Sequence, residues 1–153
     1  MKKLILSLAL FMPFVACTSE QTAAPAEGGE DAATVAFTVA KNYFFKNDKE
    51  IPANPKITTE EQFSDLFGMA TVMGENGKPT AIDFSKEFVL AIVLPVTDVA
   101  TEIIPLKIEE KDKVLDYCYE VKTGEKLSYE IRPCSIIILD KKYENYEVNM
   151  VKK

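Results

Sequence analysis

The sequence predicts an α+β domain: one mostly antiparallel, curled sheet of six or seven strands with one short helix packed on it. Three observations predict this. From residue 35 onward, short runs with period-two alternation dominate, which is the period of strands. Phe88 to Leu94 (FVLAIVL) is a continuous apolar run between Lys86-Glu87 and Pro95, short enough for a strand covered on both faces. Only one segment, beginning at Thr58, has helix spacing with start and stop signals of its own.

In chain order, Val35 to Val39 alternates and Asn42 to Lys46 follows it, together reading as one bent strand. Asn47 to Pro55 is loop, marked by Asn47, Asp48, Pro52 and Pro55. Thr58-Thr59-Glu60-Glu61 forms a capping box in which Thr58 and Glu61 serve each other's backbone. Phe63, Leu66 and Phe67 then share one helical face, and Gly68 closes the helix as a glycine past its end. Gly74 to Pro79 is a turn. After the central 88–94 strand come strands at 101–109, 114–121, 126–131 and 135–139, with Pro105 marking an edge or a bulge. Lys122-Thr123-Gly124 reads as a hairpin loop that pairs Tyr117 with Tyr129. This register places Leu115, Tyr117, Tyr119, Leu127, Tyr129 and Ile131 on one face. Tyr146 to Val151 is a last, edge-like strand.

The chain of 153 residues holds one domain, at 35–153, long enough to bury a core without metal or disulfide staples. It contains no His, so a Ser-His-Asp triad, a Cys-His dyad and an imidazole metal site are excluded. Its net charge is −6 and Arg132 is its single arginine, which argues against nucleic acid as a partner.

The N-terminus supplies an address. Lys2 and Lys3 precede the apolar run Leu4 to Ala16, which is shorter than the roughly 20 residues a spanning helix needs. Phe14-Val15-Ala16-Cys17 resembles the lipobox of bacterial lipoproteins, with Phe14 in place of the usual leucine. The resemblance implies a signal peptide at 1–16, cleavage before Cys17 and lipid on its sulfur. It also implies a membrane tie through that lipid, since two or more acyl chains anchor stably. Removal of Lys2 and Lys3 takes the net charge to −8. Thr18 in the position after the cysteine points to the outer membrane. Residues 18–34 are rich in Ala, Gly, Glu and Thr without apolar periodicity, a tether that holds the domain off the membrane, and with Glu20 alone instead of a dense acidic cluster after the cysteine the domain is expected to face the periplasm.

Several residue groups invite chemistry. Cys118 and Cys134 could form a disulfide in an oxidising compartment, worth roughly 3 kcal/mol in the chain-entropy model. The bond requires the 135–139 strand to lie beside the 114–121 strand; otherwise these are two separate thiols. Met69 and Met73 have a spacing that copper sites use, but beside Phe67 they read as core filler, so no metal or other cofactor is expected. Glu60-Glu61, Glu109-Glu110, Asp112 and Asp140 sit at turns and caps and read as a solvated face, while Asp83 reads as a turn cap before the central strand. Tyr117, Tyr119 and Tyr129 are either a core rim or an exposed patch for a protein partner.

Two stretches are similar to the C-terminal domain of protease-complex-stability (PrcB-like) proteins. The first is Thr59-Glu60-Glu61-Gln62-Phe63; the second is Asp83-Phe84-Ser85-Lys86-Glu87, running into the 88–94 strand. The Gly-Gly-Tyr turn of that family is replaced by Val96-Thr97-Asp98-Val99. The resemblance covers roughly residues 57–139 and implies a non-catalytic domain that binds another extracytoplasmic protein, such as a protease. The expected function is therefore a lipid-anchored binding or accessory module. The alternatives are a carboxylate-only enzyme acting on glycans and a structural envelope lipoprotein.

Overall fold

The computed structural model describes residues 32–71, 73–74 and 77–153; the expected signal peptide, Cys17 and the tether through residue 31 lie outside them. The described residues form ten strands: β1 (Ala33–Val35), β2 (Thr38–Ala40), β3 (Tyr43–Phe45), β4 (Lys56–Ile57), β5 (Phe67–Met69), β6 (Glu87–Val93), β7 (Thr97–Lys111), β8 (Val114–Ile131), β9 (Cys134–Asp140) and β10 (Glu147–Lys152). One helix, α1 (Glu60–Leu66), and one 3-10 turn at Lys141–Tyr143 complete them. The domain is α+β and mostly antiparallel with one short helix, as the sequence predicts. Its strands divide among three sheets rather than one: β1-β7-β8-β10, β2-β9-β6-β4 and the pair β3-β5. β10 runs parallel to β8.

Three layers result, and the alternation of side chains along β6 and β9 produces them. Phe88, Leu90, Ile92, Ile137 and Leu139 point to the β1-β7-β8-β10 sheet, where they meet Val35, Ile103, Ile108, Leu115 and Tyr117. Val89, Ala91, Val93, Ile136 and Ile138, with Ile57 of β4 in the same sheet, point the other way, onto Phe45, Phe63 and Phe67 of the helix layer. The middle sheet is thus covered on both faces, which is why β6 reads as an unbroken apolar run. Each large side chain buried there contributes roughly 1.5–3 kcal/mol.

The strand expected at 35–39 is cut in two. β1 pairs with β7 and β2 with β9, so the chain changes sheet at Ala36-Phe37 and ties two layers together. β1 also begins at Ala33, inside the stretch read as tether. The capping box sits one residue later than the sequence suggests: Thr59 is the N-cap and accepts from the Gln62 N–H at 3.3 Å, while Gln62 accepts from the Thr58 N–H. Gly68 does not terminate the helix with a left-handed turn; it lies in β5 opposite Phe44, whose ring occupies the space a Cβ would need.

β6, β7, β8 and β9 together make one long antiparallel ribbon folded over on itself. The β6–β9 ladder runs from Glu87↔Asp140 to Val93↔Cys134, the Leu94 N–H donates to the Pro133 carbonyl at 2.9 Å, and Thr97↔Ile131 opens the β7–β8 ladder. The ribbon closes at Asp112-Lys113, whose φ angles of 53° and 64° are those of a two-residue type I′ turn. This corrects the hairpin expected at Lys122-Thr123-Gly124. The chain passes straight through these residues within β8, and Tyr117 faces Ile108 instead of Tyr129. Gly124 faces Ala100 across the ladder, where a Cβ would stand at ordinary contact distance, 3.4 Å from that of Ala100. Pro105 does mark a bulge, at the shift between Pro105 and Lys107.

Candidate functional site

The fold places the expected tyrosines in three different settings. Tyr117 is fully buried at 0% exposure, between the two large sheets. Burial pushes its hydroxyl pKa well above the ordinary tyrosine range. No partner meets ordinary hydrogen-bond geometry at its oxygen, and the Ser135 side chain beside it offsets only part of the effect of burial. Tyr119 is half-buried against Tyr117, ring centroids 5.9 Å apart. Tyr129 is 62% exposed. The three therefore do not form one patch, and a partner surface can draw on Tyr129 but not on Tyr117. Of the two alternatives the sequence left open, the core rim fits Tyr117 and Tyr119, and an exposed surface is left to Tyr129 alone, because burial depends on what lies above a strand face.

Tyr129 stands at the corner where the ribbon folds. There the ladder steps from Thr97↔Ile131 to Val99↔Lys126, an offset carried by Leu127 to Glu130. Such extra residues bend a strand and turn its side chains away from the regular pleat. The corner encloses an open cleft of about 440 Å³ lined by Ala100, Thr101, Glu102, Lys122, Thr123, Gly124, Leu127, Tyr129 and Ile131. Val96, 44% exposed, extends the apolar surface from the other arm. Lys126–Asp98 at 3.0 Å and Lys122–Glu120 at 3.7 Å form a charged rim. A tyrosine with apolar neighbours inside a polar rim has the anatomy of a protein-binding surface.

Beside Val96, a smaller pocket of about 220 Å³ is lined by Asn47, Val96, Glu130, Ile131 and Arg132. Sequence reasoning used Arg132 only as a measure of charge. Its guanidinium lies over the Phe45 ring at 5.5 Å, and its Nη1 donates to the Lys49 carbonyl at 3.2 Å. The signal available in the sequence was a solitary arginine between a strand and Pro133.

The two cysteines are free, and two layers separate them. Cys118 alternates with Leu115 and Tyr117, so it points away from the middle sheet; Cys134 packs against the helix layer on that sheet's far side. The neighbouring strands a disulfide requires are absent: β8 lies between β7 and β10, and β9 between β2 and β6. Burial raises the Cys134 thiol pKa and so lowers its thiolate content.

The other candidates resolve into structure. Met69 is 71% exposed and Met73 fully so, which corrects their reading as core filler: Met69 lies on an edge strand and not on a buried helix face. A third cleft, of about 270 Å³, lies beside Met69 and is lined largely by Tyr43, Phe63, Phe67, Ile82 and Phe84. Asp83 is a turn cap: hydrogen bonds from Ser85, then Lys86, lower its carboxyl pKa to about 2. Glu87 and Asp140 face each other across β6 and β9, but Glu87 accepts from the Asp83 N–H at 2.9 Å and Asp140 from the Lys142 N–H at 2.8 Å. Each is spent on its own turn. Among the described residues, no cluster of three or more His, Cys, Asp or Glu could hold a metal, and no helix is long and apolar enough to cross a membrane.

Comparison with protein-family models, with curated proteins and with solved structures returns no match.

Proposed function

We propose that this protein is a lipid-anchored extracytoplasmic binding module with no chemistry of its own, which engages a partner protein through the corner of its folded ribbon. The observation that carries the reading is the exposed Tyr129 and Val96 around the corner cleft, set on a ribbon whose other half is buried on both faces. An aromatic anchor on a rigid support loses little entropy on binding, which is what partner surfaces exploit. The lipid anchor rests on the N-terminal residues that end at Cys17, and the resemblance to protease-complex-stability proteins makes an envelope protease one class of partner.

The test is a crosslinked pull-down of the tagged lipoprotein from its own envelope, run beside Tyr129→Ala and Val96→Asp. The reading expects one partner at near-equal amount, lost in both variants while each still unfolds at the wild-type temperature. A partner list no different from that of an unrelated lipoprotein, or one indifferent to both substitutions, would sink it. Cys17→Ser tests the anchor separately: it should release the protein from the membrane fraction.

A further inference from the structure

We propose that the Arg132 pocket captures the C-terminal carboxylate of a partner chain that ends in an apolar residue. This rests on the corner being the partner surface, and it names the chemistry recognised there.

The first argument is charge. The chain carries 24 carboxylate side chains against 18 basic ones. Ion pairs among the described residues engage Lys49, Lys86, Lys107, Lys122 and Lys126, and none engages Arg132. The Arg132 guanidinium is thus left without an ion pair, although Glu130 lines the same pocket, and its charge is open to a further anion. The second argument is pre-organisation. The guanidinium is fixed by Phe45 and by the Lys49 carbonyl, while its buried Nε has no hydrogen-bond partner. Because Nε is sealed from solvent, a carboxylate is met by the Nη donors at the end of the planar fork, which is already oriented and only partly used.

The pocket walls select the rest of the ligand. Val96 and Ile131 offer apolar surface to a last side chain, and Asn47 adds an amide. Glu130 also lines the pocket, and its charge disfavours a dianion such as phosphate more strongly than a singly charged chain end. Behind the pocket, β10 covers β8 only as far as Tyr119, and Leu127 to Glu130 have no register partner in β7. A chain entering carboxylate first can lay its preceding residues along this stretch as an added strand.

The experiment titrates three probes into the detergent-solubilised full-length lipoprotein: acetyl-Ala-Thr-Val-Leu with a free carboxylate, the same peptide amidated, and N-acetyl-L-leucine. Calorimetry gives the affinity and methyl NMR locates the site. The free-acid peptide should bind about tenfold tighter than the amide, shifting the Val96 and Ile131 methyl signals. Arg132→Gln should abolish that preference, with folding verified by thermal unfolding. Equal affinity of wild-type protein for acid and amide overturns the inference without need of any variant. N-acetyl-L-leucine binding as tightly as the peptide also overturns it, since the site would then serve a small free acid. If acid preference is absent while Tyr129→Ala still loses the crosslinked partner, this inference falls and the corner reading stands. If neither effect appears, both fall.

Discussion

Along the β6–β9 half of the ribbon, every residue from Phe88 to Val93 and from Ser135 to Leu139 is buried, because a layer lies on each face. Along the β7–β8 half, burial fades with distance from the Asp112-Lys113 turn. Leu115 and Tyr117 are fully buried, Tyr119 and Val121 partly, and beyond them Tyr129 is open. One antiparallel ladder builds both halves. What separates them is cover: β1 reaches only Ile108 to Glu110, and β10 stops at Tyr119, so the far end of the β7–β8 arm has no flanking strand among the described residues. A ribbon can thus supply a core at one end and leave a binding surface at the other.

The sharpest way to break this contrast is Leu90→Ala in the doubly covered half. It should cost about 2–5 kcal/mol, read as a lower urea midpoint at unchanged slope. A loss under about 1 kcal/mol would show that the middle sheet is not the core. At the closed end of the other half, Lys113→Gly should stabilise by about 1 kcal/mol, since glycine adopts a φ of 64° without the Cβ penalty. Destabilisation there would argue against the type I′ turn. Tyr117→Phe removes a buried hydroxyl that has no hydrogen-bond partner, and thermal unfolding should find it neutral or up to about 1 kcal/mol more stable. A clear loss would mean that this hydroxyl is hydrogen-bonded in solution.

The Asp83 cap gives a pH signature. Its carboxyl pKa lies at about 2 when folded against an ordinary 3.8, so its stabilisation is present above 3.8 and fades as pH falls toward 2. Asp83→Asn should flatten the stability slope in that window and leave it unchanged above. The smallest effect on folding is expected at the corner. Tyr129→Ala should shift stability by less than about 0.5 kcal/mol while abolishing partner capture, and a large loss of stability would place Tyr129 in the structure instead of at the surface.

Much of the fold was legible because local chemistry specifies it. The 88–94 run announced a strand covered twice, Pro105 announced a bulge, and the acidic first turn with Phe63 announced the helix. The capping box slipped by one residue because Thr58 and Thr59 offer the same hydroxyl, and the choice depended on how Phe63 and Phe67 docked. The candidate site was legible only in part: Tyr129 was found, Tyr117 was assigned with it, and the Arg132 pocket was missed. That pocket gathers Asn47, Val96 and the 130–132 segment, and no local pattern joins residues so distant in the chain.

The sequence by itself determined the α+β class, the central strand, the helix and the short length of the N-terminal apolar run. Tertiary structure alone decided where the ribbon folds, which tyrosine is open and that Cys118 and Cys134 stand two layers apart. The reason is physical: periodicity fixes the direction a side chain points, but burial is set by the layer that covers it, and that layer comes from elsewhere in the chain.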